Sequence, residues 1–159
     1  MRKTGLFGYD SRVNIEWPTA KDLMDMLKNI PTKITDLKYQ KSTWNAGTRF
    51  GALQVTLSNG ISSPVFNCKD EGQNMQSVPV RDYSLVKRII GTKQGIALRC
   101  LIFSKKDGSQ IAKVETKAGY SYGTEFVIAD SEEIIGIYGY KDDLRYYQLG
   151  FLVWTPPRF

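Results

Sequence analysis

Few residues of this chain could carry catalytic chemistry, because it contains no histidine. Histidine is the usual general acid–base and a frequent metal ligand, so nucleophile–histidine triads and imidazole sites are excluded. The two cysteines, Cys68 and Cys100, have neither metal-pair spacing nor a disulfide framework. Glu132 and Glu133 enter a predicted strand, where neighbouring side chains diverge, whereas a glycosidase needs two facing carboxylates. The sequence therefore predicts a non-catalytic protein with no metal, no cofactor and two buried thiols.

A charged loop near residue 140 is the place where polar groups still cluster. It reads Gly139-Tyr140-Lys141-Asp142-Asp143 and lies between two apolar runs. Carboxylates beside an aromatic ring suit the binding of a polar ligand. Adjacent aspartates also favour loop conformations in the absence of any ligand. The loop is therefore either a binding site or a solvated turn between two strands.

The composition limits the class of protein to which this loop can belong. Hydrophobic residues make up 42% and charged residues 24% of the 159 residues, as in an ordinary single globular domain. No apolar run approaches the ~20 residues of a membrane helix. The first residues are basic, but no apolar stretch of the kind found in a secretory signal follows them. We therefore expect an intracellular protein, cytoplasmic or cytoskeletal, without membrane insertion.

The chain is basic, with a net charge of +6 and an isoelectric point near 9.3. This charge permits an acidic polymer, such as a microtubule or RNA, as a partner. The basic residues are scattered in short groups such as "KRIIGTK" and "FSKKDG" and form no continuous stripe. Scattered charge mainly favours solubility, so the sequence does not single out such a polymer.

The first 32 residues differ in pattern from the rest. Thr19 is a predicted helix N-cap, with Asp22 three residues later as its capping-box partner. An apolar stripe at helical spacing follows, and Pro31 ends it. The stripe consists of Leu23, Met26, Leu27 and Ile30. We therefore expect residues 1–32 to form an N-terminal extension with one short amphipathic helix over 19–30.

From residue 33 onward, short β-rich runs alternate with turn signals, which is typical of an antiparallel all-β domain. The turn signals are "SNG" at 58–60, "KKDG" at 105–108 and "KAG" at 117–119. Three runs share an apolar residue, a leucine three positions later and an aromatic residue two after that. They are "ITDLKY" at 34–39, "LRCLIF" at 98–103 and "YYQLGF" at 146–151. Two preceding runs, "VKRIIG" and "IIGIYG", also match each other. Such repetition predicts three related β units with pseudo-threefold symmetry.

The order and spacing of these runs resemble those of a jacalin-related lectin domain. Three stretches carry the resemblance: "ITDLKYQKSTWNAGTRFGALQVTLSNG", "SLVKRIIGTKQGIALRCLIFSKKDGSQIAKVE" and "YGTEFVIADSEEIIGIYGYKDDLRYYQLGFLV". The last contains a run frequent in the family, here at Gly123, Phe126, Glu133, Ile135, Gly136 and Gly139. The resemblance implies an all-β β-prism I fold over residues 33–154, with three antiparallel Greek-key sheets. The short N-terminal helix then precedes the prism, and residues 155–159 form a tail.

The resemblance also implies carbohydrate binding without a metal. In the family, a loop of pattern G-x-x-x-D between the last two strands binds the sugar, helped by a Gly-rich loop near the first strand. The implied candidates here are the loop 139–143 and Gly47 in "KSTWNAGTRFG". Spacing alone puts the carboxylate at Asp143. Two alignments of the following strand put Tyr147 or Arg145 at that position instead, so the site departs from the family pattern.

Two functions remain open. The first is a protein–protein interaction module or structural subunit of a larger intracellular assembly, with other protein subunits as partners. Its contacts would fall on the helix stripe and the tail "VWTPPRF", at Leu23, Met26, Leu27, Trp154 and Phe159. The alternative is a lectin that binds a glycan with the loop 139–143. The altered carboxylate position and the added terminal segments favour the first.

Overall fold

The structure, a computed structural model, describes most of the chain. The described residues are 2–4, 7–8, 12–19, 21–22, 32–43, 47, 49–94, 97–116, 123 and 125–156. The strands are, in chain order, β1 (Arg2–Lys3), β2 (Phe7–Gly8), β3 (Ile15–Trp17), β4 (Ile34–Lys41), β5 (Phe50–Leu57), β6 (Phe66–Asn67), β7 (Gln76–Ser77), β8 (Arg88–Gln94), β9 (Ala97–Ser104), β10 (Gln110–Glu115), β11 (Glu125–Val127), β12 (Glu133–Lys141) and β13 (Tyr146–Trp154). A 3-10 turn at Tyr83–Leu85 precedes β8. Within the described residues as a whole, no helix is long and apolar enough to cross a membrane.

The strands form three antiparallel sheets, which confirms the predicted all-β class. Two sheets are built alike, with strand orders β6-β5-β4-β7 and β10-β9-β8-β11. In each, a long central hairpin is flanked by shorter strands, and the fourth strand returns to lie beside the first. This order is that of a Greek key.

Two of the predicted turns end strands of these sheets. After β5, the side chain of Asn59 accepts a hydrogen bond from the backbone N–H two residues on, at 3.0 Å. Asp107 does the same after β9, at 2.8 Å. Gly60 and Gly108 complete these turns with φ of 86° and 90°, which glycine adopts without steric cost. The third turn signal, at 117–119, lies outside the described residues.

The third sheet takes its strands from both ends of the chain. Its order is β1-β13-β12-β3, and β2 also pairs with β13. Lys3 lies opposite Leu152, and Trp17 lies opposite Ile137. The expected boundary at residue 33 therefore needs correction, because strands within residues 1–32 complete one side of the prism. Strands of two or three residues are too short to show a period in sequence, so the pattern could not reveal them.

The predicted capping box between Thr19 and Asp22 is present. The backbone N–H of Asp22 donates to Thr19 Oγ1 at 3.2 Å, and the N–H of Thr19 donates back to the Asp22 carboxylate at 3.1 Å. Residues 21–22 have helical backbone, and 23–30 lie outside the described residues. The hydrogen bonds from Thr19 hold the pKa of Asp22 below its ordinary value.

The three central hairpins share an irregularity of register. Pairing shifts between Gln40 and Lys41 in one sheet, between residues 92 and 93 in the second, and between residues 140 and 141 in the third. In each hairpin, the register skips one residue of the second strand. These residues are Gly51, Arg99 and Tyr147. A β-bulge at the same place in each hairpin supports related units.

One of the sequence matches was misaligned. The runs at 98–103 and 146–151 fall on β9 and β13, the second strands of their hairpins, but the run at 34–39 falls on β4, a first strand. The strand of the first unit that corresponds to β9 and β13 is β5. A six-residue pattern of apolar positions cannot distinguish the two strands of a hairpin, since both present apolar residues to the core.

The core lies between the inner faces of the three sheets. Phe103 of β9 meets Phe151 of β13 edge to face at 5.9 Å, and Tyr83 at 6.4 Å. Tyr146, predicted to lie in the core, is fully buried, and its hydroxyl donates to the carbonyl of Phe66. Both cysteines are buried, as expected. Burial raises the pKa of Cys68 to about 11, which keeps its thiol protonated at neutral pH.

Candidate ligand-binding site

The turn between β12 and β13 is held together by the carboxylate of Asp142. Its Oδ1 accepts the backbone N–H of Leu144 at 2.7 Å and that of Arg145 at 3.0 Å. Its Oδ2 accepts the hydroxyl of Tyr147 at 2.6 Å. The backbone N–H of Asp142 also donates to the carbonyl of Arg145 at 3.1 Å. Asp142 therefore shapes the turn, and most of its acceptor capacity is used within the chain.

These hydrogen bonds set the ionisation of Asp142. Burial by itself would raise the pKa of this carboxyl, but hydrogen bonds from Tyr147, Leu144 and Arg145 outweigh burial and lower it. The bond to the Asp142 carboxylate in turn raises the pKa of the Tyr147 hydroxyl. An aspartate whose pKa is lower in the folded than in the unfolded state stabilises the fold at pH values above its unfolded-state pKa. This stabilisation is lost as the pH falls through the folded-state pKa.

Replacing Tyr147 with phenylalanine should lower the free energy of unfolding by about 1 kcal/mol at neutral pH, because a half-buried hydrogen bond to a charged acceptor is lost. The difference from the native chain should shrink as the pH falls through the lowered folded-state pKa of Asp142, below which this carboxyl is protonated in both chains. Urea unfolding at pH 7 and at a series of acidic pH values measures both effects. Tyr140→Phe is the matched control, since no hydrogen bond joins the Tyr140 hydroxyl to any described residue. Equal losses in the two variants would contradict the assigned role of Tyr147.

Asp143, next in the turn, is arranged in the opposite way. Its side chain is exposed, and its carboxylate accepts no hydrogen bond from the described residues. Its backbone N–H is likewise unused within that part of the chain. Its carbonyl, in contrast, accepts the N–H of Lys69 at 2.9 Å, which fixes the backbone at this point. The turn therefore presents one free carboxylate and one free N–H on an immobilised backbone.

A segment that the sequence did not single out braces the same turn from the other side. The Asn14 side chain accepts the N–H of Lys141 at 3.0 Å and donates to its carbonyl at 2.6 Å. The N–H of Asn14 also bonds the carbonyl of Gly139 at 2.8 Å. A lone asparagine has no distinguishing pattern in sequence, so only the pairing of β3 with β12 reveals this contact.

Tyr140 is engaged within the chain. The Arg12 guanidinium lies 4.1 Å from the centre of its ring, a cation–π contact. The ring of Tyr147 lies 5.4 Å away in a tilted arrangement. The aromatic ring predicted to cover a ligand is thus already packed against two side chains of its own protein.

Gly47 belongs to another hairpin, at the β4–β5 tip, in a different sheet from Gly139, and has a φ of 77°. No hydrogen bond joins Gly47 to the loop 139–143 among the described residues. The loop before β3, which contains Asn14, is the one that bonds to Gly139 and Lys141.

A buried carboxylate, which the sequence reasoning missed, organises the β4–β5 tip. Glu71 is 4% exposed and accepts four hydrogen bonds, from Gln40 Nε2 at 2.7 Å, Ser42 Oγ at 3.2 Å, and the backbone N–H and Oγ1 of Thr43 at 2.7 and 2.9 Å. Gln40 in turn accepts the N–H of Gly72 at 2.5 Å. The loop around Glu71 thus connects the β4–β5 tip with the turn at Asp143, which Lys69 contacts.

The predicted partner-binding residues divide into two groups. Trp154 lies in β13, half-buried, and its indole N–H donates to the carbonyl of Thr32 at 2.8 Å. The base of the tail thus folds onto its own prism. The other four, Leu23, Met26, Leu27 and Phe159, lie outside the described residues.

Within the described ranges, no group of three or more metal-ligating side chains is present.

Comparison with known proteins supports the fold. No family model and no curated protein matches the sequence. Solved structures do match over nearly the whole chain. A Malaysian banana lectin has 13% identity and a TM-score of 0.61, covering 97% of this chain and 98% of its own. A mannose-binding lectin from champedak has 15% identity and a TM-score of 0.61, covering 96% of both chains. A mannose-binding jacalin-related lectin from Ananas comosus has 15% identity and a TM-score of 0.59, covering 97% of both. The expected fold, the β-prism of jacalin-related lectins, is confirmed.

Proposed function

We propose that this chain is a non-catalytic binding module that binds a carbohydrate at the β12–β13 turn. The observation that carries the proposal is the free carboxylate and free N–H of Asp143 on a fixed backbone. A carboxylate can accept hydrogen bonds from two neighbouring hydroxyls at once, and the adjacent N–H can donate to a third oxygen. Sugars are the common ligands that present hydroxyls in such pairs.

Preorganisation strengthens this proposal. Asp142 closes the turn, Asn14 braces Lys141 at its start, and Lys69 holds the Asp143 carbonyl. A site whose backbone is already fixed loses less conformational entropy when its ligand binds. Two of the structures with this fold, from champedak and Ananas comosus, are named as mannose-binding, so mannose is the first ligand to test.

Asp143→Asn should weaken sugar binding by at least tenfold, because a charge-assisted acceptor becomes a neutral amide. A glycan array identifies the ligand, and calorimetry with the native chain and the variant measures the affinity. Asp130→Asn is the matched control, since Asp130 is an exposed carboxylate beside the first residues of β12, at the opposite end of that strand. Retained affinity in Asp143→Asn, or absence of glycan binding by the native chain, would refute the proposal.

A protein–protein interaction module within an intracellular assembly is the second candidate, and it too has an observation in its favour. The carboxylate of Asp142 is already hydrogen-bonded within the turn. One of its donors is Tyr147, which one alignment places at the family's carboxylate position. Tyr140 is covered by Arg12. These engaged groups favour a partner other than a typical sugar. If neither the native chain nor Asp143→Asn binds a glycan, cross-linking of both chains to their neighbours in native extract would test this function.

A further inference from the structure

A cavity lies between two sheets at the end of the prism opposite the β12–β13 turn. Its volume is about 280 Å³, and its walls include Thr32, Lys33, Ser58, Glu133 and Pro156. These residues lie where β4 and β12 begin and where β5 and β13 end. The indole N–H of Trp154 joins the two sheets here by donating to the carbonyl of Thr32 at 2.8 Å. The nine residues of β12 separate this cavity from the proposed sugar site.

Glu133 brings an unpaired carboxylate to the cavity. Its Oε2 is shielded from solvent and accepts no hydrogen bond from the described residues. Within the same ranges, no ion pair joins Glu133 to a basic side chain. A carboxylate oxygen that neither water nor protein satisfies is costly, so it favours a ligand that donates to it. The terminal torsion of glutamate is soft, and rotation about it can turn this oxygen toward such a ligand.

Lys33, the basic residue of the wall, does not neutralise this carboxylate. Its ammonium donates to Ser84 Oγ at 2.7 Å and to Asp82 Oδ1 at 3.3 Å. Neither of these partners is among the described residues that line the cavity. The charge of Lys33 is thus already paired outside the cavity, and the negative charge of Glu133 remains to be matched.

Ser58 supplies a second polar group to the wall. Its backbone N–H donates to the carbonyl of Lys33 at 2.8 Å, and its Oγ accepts the N–H of Lys33 at 3.2 Å. These two bonds hold the serine in place. Its hydroxyl proton is not donated to any described residue, so it can be donated to an oxygen of a ligand. Pro156 adds an apolar surface to the same wall.

We propose that this cavity binds a small organic cation, an alkylammonium that also carries a hydroxyl group. The ammonium donates to the carboxylate of Glu133, the hydroxyl oxygen accepts from Ser58, and the carbon chain packs against Pro156. A hydrogen bond between two ionised groups is roughly twice as strong as one between neutral groups, which favours a cation over a neutral alcohol. The volume lies below that of pockets for drug-sized molecules, so the ligand has only a few carbon atoms.

NMR titration with ethanolamine, which is protonated at neutral pH, tests this site at constant ionic strength. The amide signals of Lys33, Ser58 and Glu133 should shift and saturate, and Glu133→Gln should weaken binding at least tenfold. Ethylene glycol, a neutral molecule with the same number of non-hydrogen atoms, should bind the native chain at least tenfold more weakly. Glu125→Gln is the matched control, since it removes the same charge from an exposed carboxylate in another sheet and should change the affinity less than twofold.

The outcomes decide the proposal without depending on one variant. Absence of saturable shifts at the three wall residues overturns it, as does equal affinity of the native chain for ethanolamine and ethylene glycol. Equal affinity of Glu125→Gln and Glu133→Gln for ethanolamine also overturns it, provided that circular dichroism shows intact sheets in both. Asp143→Asn should leave ethanolamine binding unchanged, so this site and the sugar site at Asp143 succeed or fail separately.

Discussion

Replacing Gly136 with alanine should destabilise the fold by about 3 kcal/mol, the upper end of the range for overpacking, because the new methyl group meets backbone. A Cβ at Gly136 would overlap the carbonyl oxygen of Trp17 and lie 2.5 Å from Cδ of Pro18. Trp17 is in β3, which pairs with β12 at this point. Main chain within a paired sheet cannot rotate away as a side chain can, so β3 must separate from β12.

Urea unfolding of the native chain and Gly136→Ala measures this effect. Gly60→Ala is the matched control, since a Cβ there meets no atom within 4 Å and the cost comes from a φ of 86° alone. That strain should cost about 1 kcal/mol. Similar losses in the two variants would show that the approach of β3 to β12 is not what requires glycine.

Replacing Glu71 with alanine should lower the free energy of unfolding by about 3 kcal/mol, because several buried donors lose their acceptor together. The four donors belong to Gln40, Ser42 and Thr43, at the end of β4. The β4–β5 tip should loosen, and the loop that holds the Asp143 carbonyl through Lys69 should loosen with it. Sugar binding at Asp143 should therefore weaken although Glu71 is not expected to touch the ligand.

Denaturant unfolding and hydrogen exchange at the tip test this prediction. Glu71→Gln keeps one acceptor oxygen, so its loss of stability should be intermediate. Glu125→Ala is the control, because its ion pair with Arg88 is exposed and contributes less than about 1 kcal/mol. If Glu71→Ala were as stable as Glu125→Ala, the carboxylate would not be what orders the tip.

Three glycines show how much of the fold could be predicted from the sequence. The run that resembles the family contains Gly123, Gly136 and Gly139, and the structure explains each by the close approach of another backbone. A Cβ at these positions would overlap the carbonyl oxygens of Gly91, Trp17 and Gln148, respectively. The family pattern includes these glycines, but it does not identify the strand that approaches each of them, because that strand lies elsewhere in the sequence. Only the folded chain shows which strand this is.

Single polar residues were beyond the reach of sequence reasoning for a related reason. Glu71 and Asn14 act through partners 28 to 31 and 127 residues away, respectively. Apolar residues announce a strand because they recur at a fixed period, whereas a buried carboxylate or a bracing amide occurs once. The capping box at Thr19 and Asp22 was predictable because its two partners are three residues apart. Predictability thus followed the sequence distance between partners.

The sheet that joins both ends of the chain has a consequence for how the protein is made. β1 and β2 are synthesised before the two Greek keys, whereas their partner β13 is synthesised after them. The two Greek keys between them have local partners and can form while translation continues. The first strands must wait, so this side of the prism closes last and its contacts carry a high loop-closure entropy. Refolding of this domain should therefore be slowest where β1 and β2 pair with β13.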